Sequence, residues 1–101
     1  MEEKVIVRVD PDLMELMPNF MESRRSDVLL LSQELNSHNY DTIRVIGHRM
    51  KGYGSSYGFH LISEIGAAIE TAAEEEQAEI IRSQIDILGK YIEAVEIVID
   101  E

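Results

Sequence analysis

The apolar positions of this chain form one alternating stretch followed by four stripes at helical spacing. Lys4-Val5-Ile6-Val7-Arg8-Val9 alternates and is rich in β-branched residues, which predicts a short extended arm over residues 4–9. Asp10-Pro11 is a helix start, with Asp10 as N-cap and Pro11 at the first helical position. The helix it opens is short, about residues 11–17. Pro18 has no amide N–H and biases Met17 away from the α region, so a break or kink is expected there.

Four longer helices come next. The first, about 18–37, carries Phe20, Met21, Val28, Leu31 and Leu35 mostly on one side. After a polar connector from Asn36 to Asn39, with Asn39 or Asp41 available as a cap, a helix over about 40–55 presents Ile43, Ile46, Met50, Tyr53 and Tyr57. The next, about 58–73, presents Phe59, Ile62, Ile65, Ile69 and Ala72/Ala73. The last, about 75–97, presents Ile81, Ile85, Leu88, Ile92, Val95 and Ile99. Glu74 to Glu76 sit where acids favour a helix N-terminus, and Glu96 to Ile99 reads as the frayed end of the same helix. The pattern predicts an all-α fold, an antiparallel four-helix bundle with a short extra N-terminal helix, the arm packing across one end. At 101 residues one domain is expected. Gly47 and Gly66 lie inside helices beside apolar stripes, which costs roughly 1 kcal/mol each relative to alanine. Close approach of the two helices that carry them is the compensation expected.

Composition narrows the function. The chain has no cysteine, so disulfides and thiolate metal sites are excluded and a reducing compartment fits. Its apolar runs are far too short for a membrane span, and Met-Glu-Glu-Lys lacks the features of a signal peptide. A soluble, cytoplasmic monomer is expected, with no membrane partner. The formal charge of −11 makes nucleic acid a poor partner. That charge is uneven: residues 44–51 hold three cations and no acid, whereas residues 64–79 hold six acids and no cation. A basic island in an acidic protein suggests a local anion site, with chance clustering as the competing explanation.

His48 lies in that island. At about 100° per residue it stands roughly 200° from both Ile46 and Met50, nearly opposite the apolar stripe. Its own face is Tyr40, Arg44, His48, Lys51/Gly52 and Ser55, so the ring should meet solvent with a cation one turn to either side. Imidazoles titrate ordinarily near pH 6.5, so a neutral ring is available as a phosphoryl acceptor near neutrality. Lys51 could pair with a phosphoryl group there and Arg44 could assist, while Gly52 leaves bare backbone beside the ring. Phosphoryl transfer needs mainly in-line positioning and charge neutralisation. A surface histidine among surface cations is the other reading of this face.

His48-Arg49-Met50-Lys51-Gly52, followed by Gly58, resembles the signature of the histidine phosphotransfer (HPt) family: histidine, an apolar residue at +2, lysine at +3, glycine at +4 and glycine at +10. Gly47 fits the family's preference for a small preceding residue, and Asp10-Pro11-Asp12-Leu13 with Pro18 and Arg24-Arg25 is similar to the entry segment of bacterial members. The likeness covers roughly residues 8–75. It implies that His48 is the phosphoacceptor, that Lys51 stabilises the phosphoryl oxygens, that Gly52 gives clearance and that Gly58 allows the turn into the next helix. It implies a response-regulator receiver domain or a hybrid histidine kinase as partner, docking around His48 on Arg44, Val45, Arg49 and Ser55. The chain would need no cofactor, the magnesium belonging to the receiver. Glu70 falls where many members place an acid or amide facing the histidine, where it would fix the ring's tautomer; a solvated surface acid is the alternative. Arg49 departs from the small or polar residue commonest at +1.

The function expected is therefore a phosphocarrier, without an ATP site and not an enzyme in its own right. A helical adaptor that binds a receiver without carrying phosphate is the alternative, disfavoured by His48 and Lys51 together. The dimerisation hairpin of a histidine kinase is a third, and it would follow its histidine with an acid and a proline, unlike Arg49 and its neighbours. His60 and Glu64 stand at i and i+4 but two ligands do not make a metal site, so surface polar residues are expected. His38 should be solvated, and Met14, Met17 and Met21 should fill gaps around a helix end.

Overall fold

A computed structural model of the chain describes residues 4–100. It is mostly helical: β1 (Val5–Val9), a 3₁₀ helix (Pro11–Leu16), α1 (Met17–Asn36), α2 (Tyr40–Ser56), α3 (His60–Glu74), α4 (Ala78–Ala94) and β2 (Val95–Ile99). Each long helix turns its predicted stripe toward the core, with Val28, Tyr53 and Tyr57 only partly buried. The last stripe ends at Ile92: Val95 and Ile99 lie outside α4 and Ile99 is exposed. Ile43, Ile46 and Met50 of α2 meet Ile62, Ile65 and Ile69 of α3, with Leu31 and Leu35 of α1 and Ile81, Leu88 and Ile92 of α4 in the same core. The helices pack in a ring, α1 on α2, α2 on α3, α3 on α4 and α4 on α1, and the α2–α3 seam is the most extensive.

The ends of the chain depart from an all-α fold. Residues 95–99 are a strand and not a frayed helix: α4 stops at Ala94, Val95 turns to φ −72°, ψ 134°, and β2 pairs in parallel with β1 from Val5–Val95 to Val9–Ile99. Periodicity through Val95 and Ile99 suits a helix, but a β-branched run facing an otherwise unpaired arm satisfies both backbones as a ladder. Parallel pairing needs a long crossover, which here is the whole set of helices. The sheet buries Val9 and lays Val7 and Ile97 on the core.

Three helix boundaries also differ. Asp10 caps as expected, its Oδ1 accepting from Asp12 N at 2.8 Å, but the helix it opens is 3₁₀ and runs directly into α1. Pro18 does not break the chain; Met17 is already helical (φ −63°, ψ −42°). Pro18 falls in the first turn of α1, where its fixed φ suits the helix. Glu74 closes α3 and α4 opens only at Ala78, so the acidic run is a connector rather than a helix start. Glu76 there takes φ 53°, as His38 takes φ 58° in the α1–α2 connector. Each comes after a helix end as a left-handed residue, and the backbone bonds across these turns, such as Gln77 N to Ala72 O at 2.8 Å, cap the C-termini of α1 and α3; α2 and α4 start without an N-cap side-chain bond. Asn39 does not cap α2 with its side chain, donating instead to Glu34 Oε2 at 2.7 Å.

Candidate functional site

The site begins with glycines. A Cβ on Gly47 would stand 2.7 Å from Glu70 N, one on Gly66 would stand 2.5 Å from Lys51 N, and one on Gly54 would stand 2.5 Å from Ser63 N. No side chain fits at these distances, so the three residues let the backbones of α2 and α3 touch. The expectation for Gly47 and Gly66 holds, and Gly54, seven residues after Gly47 on the same face, extends the seam. Its signal was legible in that spacing.

This contact sets what lies at the surface. With α3 drawn against Gly47, the Glu70 carboxylate reaches the neighbouring ring: Oε2 lies 2.8 Å from Nδ1 of His48. The imidazole is 69% exposed and the carboxylate 17%. The opposite edge of the ring, with Nε2, is left for solvent or a partner. Ser63, which the sequence did not single out, donates from Oγ to the Lys51 carbonyl at 2.7 Å and ties α3 to α2 one turn further on. Gly52 has nothing within 4 Å of the position a Cβ would take, so the space beside the ring is open.

The surrounding residues fall around this pair. Lys51 and Arg49 are exposed on α2, and Arg44 is half-buried one turn before the histidine. Among the described residues none of the three forms an ion pair. Arg44, Val45 and Arg49 line a shallow groove on the α1–α2 side together with Leu30, which is 40% exposed. Ser55 is exposed near the end of α2. Gly58 takes φ +84°, a left-handed conformation that glycine adopts without strain, and passes the chain from α2 into α3.

Beneath the α1–α2 side lies a charged cluster that apolar spacing concealed. Arg24 is buried, its Nε donating to Asp27 Oδ2 at 2.9 Å and its guanidinium standing over the rings of Tyr53 (3.9 Å) and Phe20 (4.6 Å). Tyr53 donates from its hydroxyl to the same carboxylate oxygen at 2.7 Å. Burial, reinforced by Asp27, pushes the Tyr53 phenol above its ordinary range. Phe20 also stacks on Tyr57 and Phe59, so the cluster clamps α1 to the α2–α3 turn.

His60 and Glu64 are exposed, and among the described residues no group of three or more candidate ligands could hold a metal ion. No helix among the described residues is long and apolar enough to cross a membrane. A family model described as Hpt domain matches residues 15–97. No curated protein and no solved structure matches the chain.

Proposed function

The chain belongs to the Hpt domain family, whose members are phosphocarrier modules of phosphorelays, and from that membership we propose that His48 takes a phosphoryl group from the aspartyl phosphate of a receiver domain and passes it on. The observation that carries this reading is the contact between the exposed ring and the sheltered Glu70 carboxylate at 2.8 Å. A carboxylate accepts, so Nδ1 carries the proton and Nε2 carries the lone pair.

In the proposed step the Nε2 lone pair attacks phosphorus in line. The P–O bond to the receiver's aspartate breaks and the carboxylate departs with the bonding electrons. No proton needs to leave, because Nδ1 keeps its own and the ring becomes cationic. Glu70 then faces that cation directly, which stabilises the phosphorylated ring. Reversal returns the phosphoryl group to an aspartate by the same path. Lys51 neutralises the phosphoryl oxygens, with Arg44 as a longer-range cation, and Gly52 gives the partner clearance. Magnesium belongs to the receiver.

The docking surface we read is Arg44, Val45, Arg49 and Ser55 around His48, extended by the exposed Leu30. The four helices are read as an antiparallel bundle, and the carrier as cytoplasmic. The direct experiment is incubation with a phosphorylated receiver domain, followed by intact and fragment mass spectrometry at neutral pH. One acid-labile phosphoryl group on His48, absent from His48→Gln, is the expected result. Binding without any gain would favour the adaptor.

A further inference from the structure

Arg24 is a cation that the proposed transfer step does not use and that the fold nevertheless buries, at 7% exposure. Its carboxylate partner takes only one of its donors: Nε bonds Asp27 Oδ2, an oxygen that Tyr53 also reaches with its hydroxyl. Among the described residues no acceptor meets the terminal amines Nη1 and Nη2. A guanidinium carries five N–H donors in a planar fork, so four are left without a protein partner. No fully buried side-chain nitrogen or oxygen among the described residues lacks a partner, so these amines keep contact with solvent. The opening beside Arg24 is a cleft of about 260 Å³ between α1 and the end of α2. Phe20, Tyr53 and Tyr57 form its walls, and the exposed Leu16, Asn19 and Ser23 stand at its rim.

We propose that this cleft binds a small monocarboxylic acid, its carboxylate bridging the two terminal amines of Arg24 and its apolar body lying on Phe20, Tyr57 and Leu16. Three observations define the class. The fork of a guanidinium matches the two oxygens of a carboxylate, and here the rings of Tyr53 (3.9 Å) and Phe20 (4.6 Å) hold that fork in place. The charges that act on the neighbouring Tyr53 hydroxyl are those of Asp27, Arg24 and Arg49, a net of one positive charge. That balance suits a monoanion better than a phosphate dianion. The walls are aromatic, and the volume falls below the roughly 300 Å³ at which pockets for drug-sized ligands begin, so an acid of a few carbon atoms fits. The −11 charge of the chain opposes any anion, so a Kd of about 1–10 mM is expected. Tyr53 and Tyr57 lie about 140–180° around α2 from His48, which makes the site separate from the phosphoacceptor and the inference independent of it.

The test is titration of the full chain with sodium butyrate and with sodium benzoate, followed by amide and arginine Nε–H NMR spectra. Sodium chloride holds the ionic strength constant, and sodium phosphate is the comparison anion. Saturable shifts at Ser23, Arg24, Tyr53 and Tyr57 with either acid are expected, with phosphate at least about tenfold weaker. Asn19→Asp sets a carboxylate at the exposed rim without touching the core, and should weaken binding at least about fivefold at an unchanged melting temperature. Arg24→Lys keeps the charge but loses the fork, and should abolish saturation; Asn19→Asp carries the test if that buried substitution fails to fold. His48→Gln should bind the acids as the parent does. Shifts that stay linear to about 100 mM, that centre on Arg44 and Lys51, or that persist undiminished in Asn19→Asp would overturn the proposal. Phosphate binding as tightly as the acids would overturn it too.

Discussion

Nδ1 of His48 lies 2.8 Å from Oε2 of Glu70, and the two groups are unequally exposed: the ring is largely in solvent while its partner is sheltered against α2 and α3. The pair therefore has one fixed nitrogen and one free nitrogen. Nitrogen-15 spectra of the neutral ring should show Nδ1 protonated and Nε2 bare. Glu70→Ala should give a mixture of tautomers and slow transfer roughly fivefold, about 1 kcal/mol, the worth of a charge-assisted bond discounted for exposure. Glu70→Gln should keep the tautomer and lose part of the rate.

His48→Gln should abolish phosphate acceptance and leave helicity and melting temperature unchanged, because the ring faces solvent. Lys51→Ala should slow transfer while leaving receiver binding intact. Transfer rates from stopped-flow phosphorylation and affinities from calorimetry separate the two effects.

The glycines of α2 and α3 should divide sharply. Gly66→Ala places a Cβ 2.5 Å from backbone Lys51 N and should destabilise by a net of about 2 kcal/mol after its helix-propensity gain. Melting temperature should drop by about 4–8 °C per kcal/mol. Gly52→Ala has open space and should stabilise by up to about 1 kcal/mol, yet slow transfer by crowding the ring.

Tyr53 holds its proton more tightly in the folded chain than in the unfolded one, because of burial and then Asp27. A raised pKa means that its contribution is fully present below about pH 10, the ordinary value for tyrosine, and is lost as pH climbs above it. Thermal melts between about pH 8 and pH 11 should show stability falling at the alkaline end. Tyr53→Phe should flatten that slope and cost about 1 kcal/mol at neutral pH by removing one donor from Asp27.

His38 and Glu76 occupy left-handed backbone at helix ends, at φ 58° and 53°. A residue with a Cβ is disfavoured there by roughly 1–2 kcal/mol, partly offset by the greater entropy glycine loses on folding. His38→Gly and Glu76→Gly should each stabilise by about 0.5–1 kcal/mol, read as a rise in melting temperature of a few degrees.

The sequence by itself determined the helices and the exposed histidine. Spacings of three and four fix which side of each helix is apolar, and the buried positions Ile43, Met50, Ile62, Ile69, Ile81 and Leu88 result from them. The same arithmetic put His48 outside, and Gly47 and Gly66 announced a close helix pair because a mid-helix glycine needs compensation. What tertiary structure decided was every feature that depends on a partner distant in the chain. Val95 to Ile99 fit a helix or a strand locally, and only β1, some ninety residues earlier, selected the strand. Arg24 reads as a surface cation until Asp27, Phe20 and Tyr53 surround it. Glu70 could have been a solvated acid; the backbone contact at Gly47 brings it to the ring. Local pattern encodes which face is buried, but a hydrogen bond across 22 residues exists only once packing has set the distance.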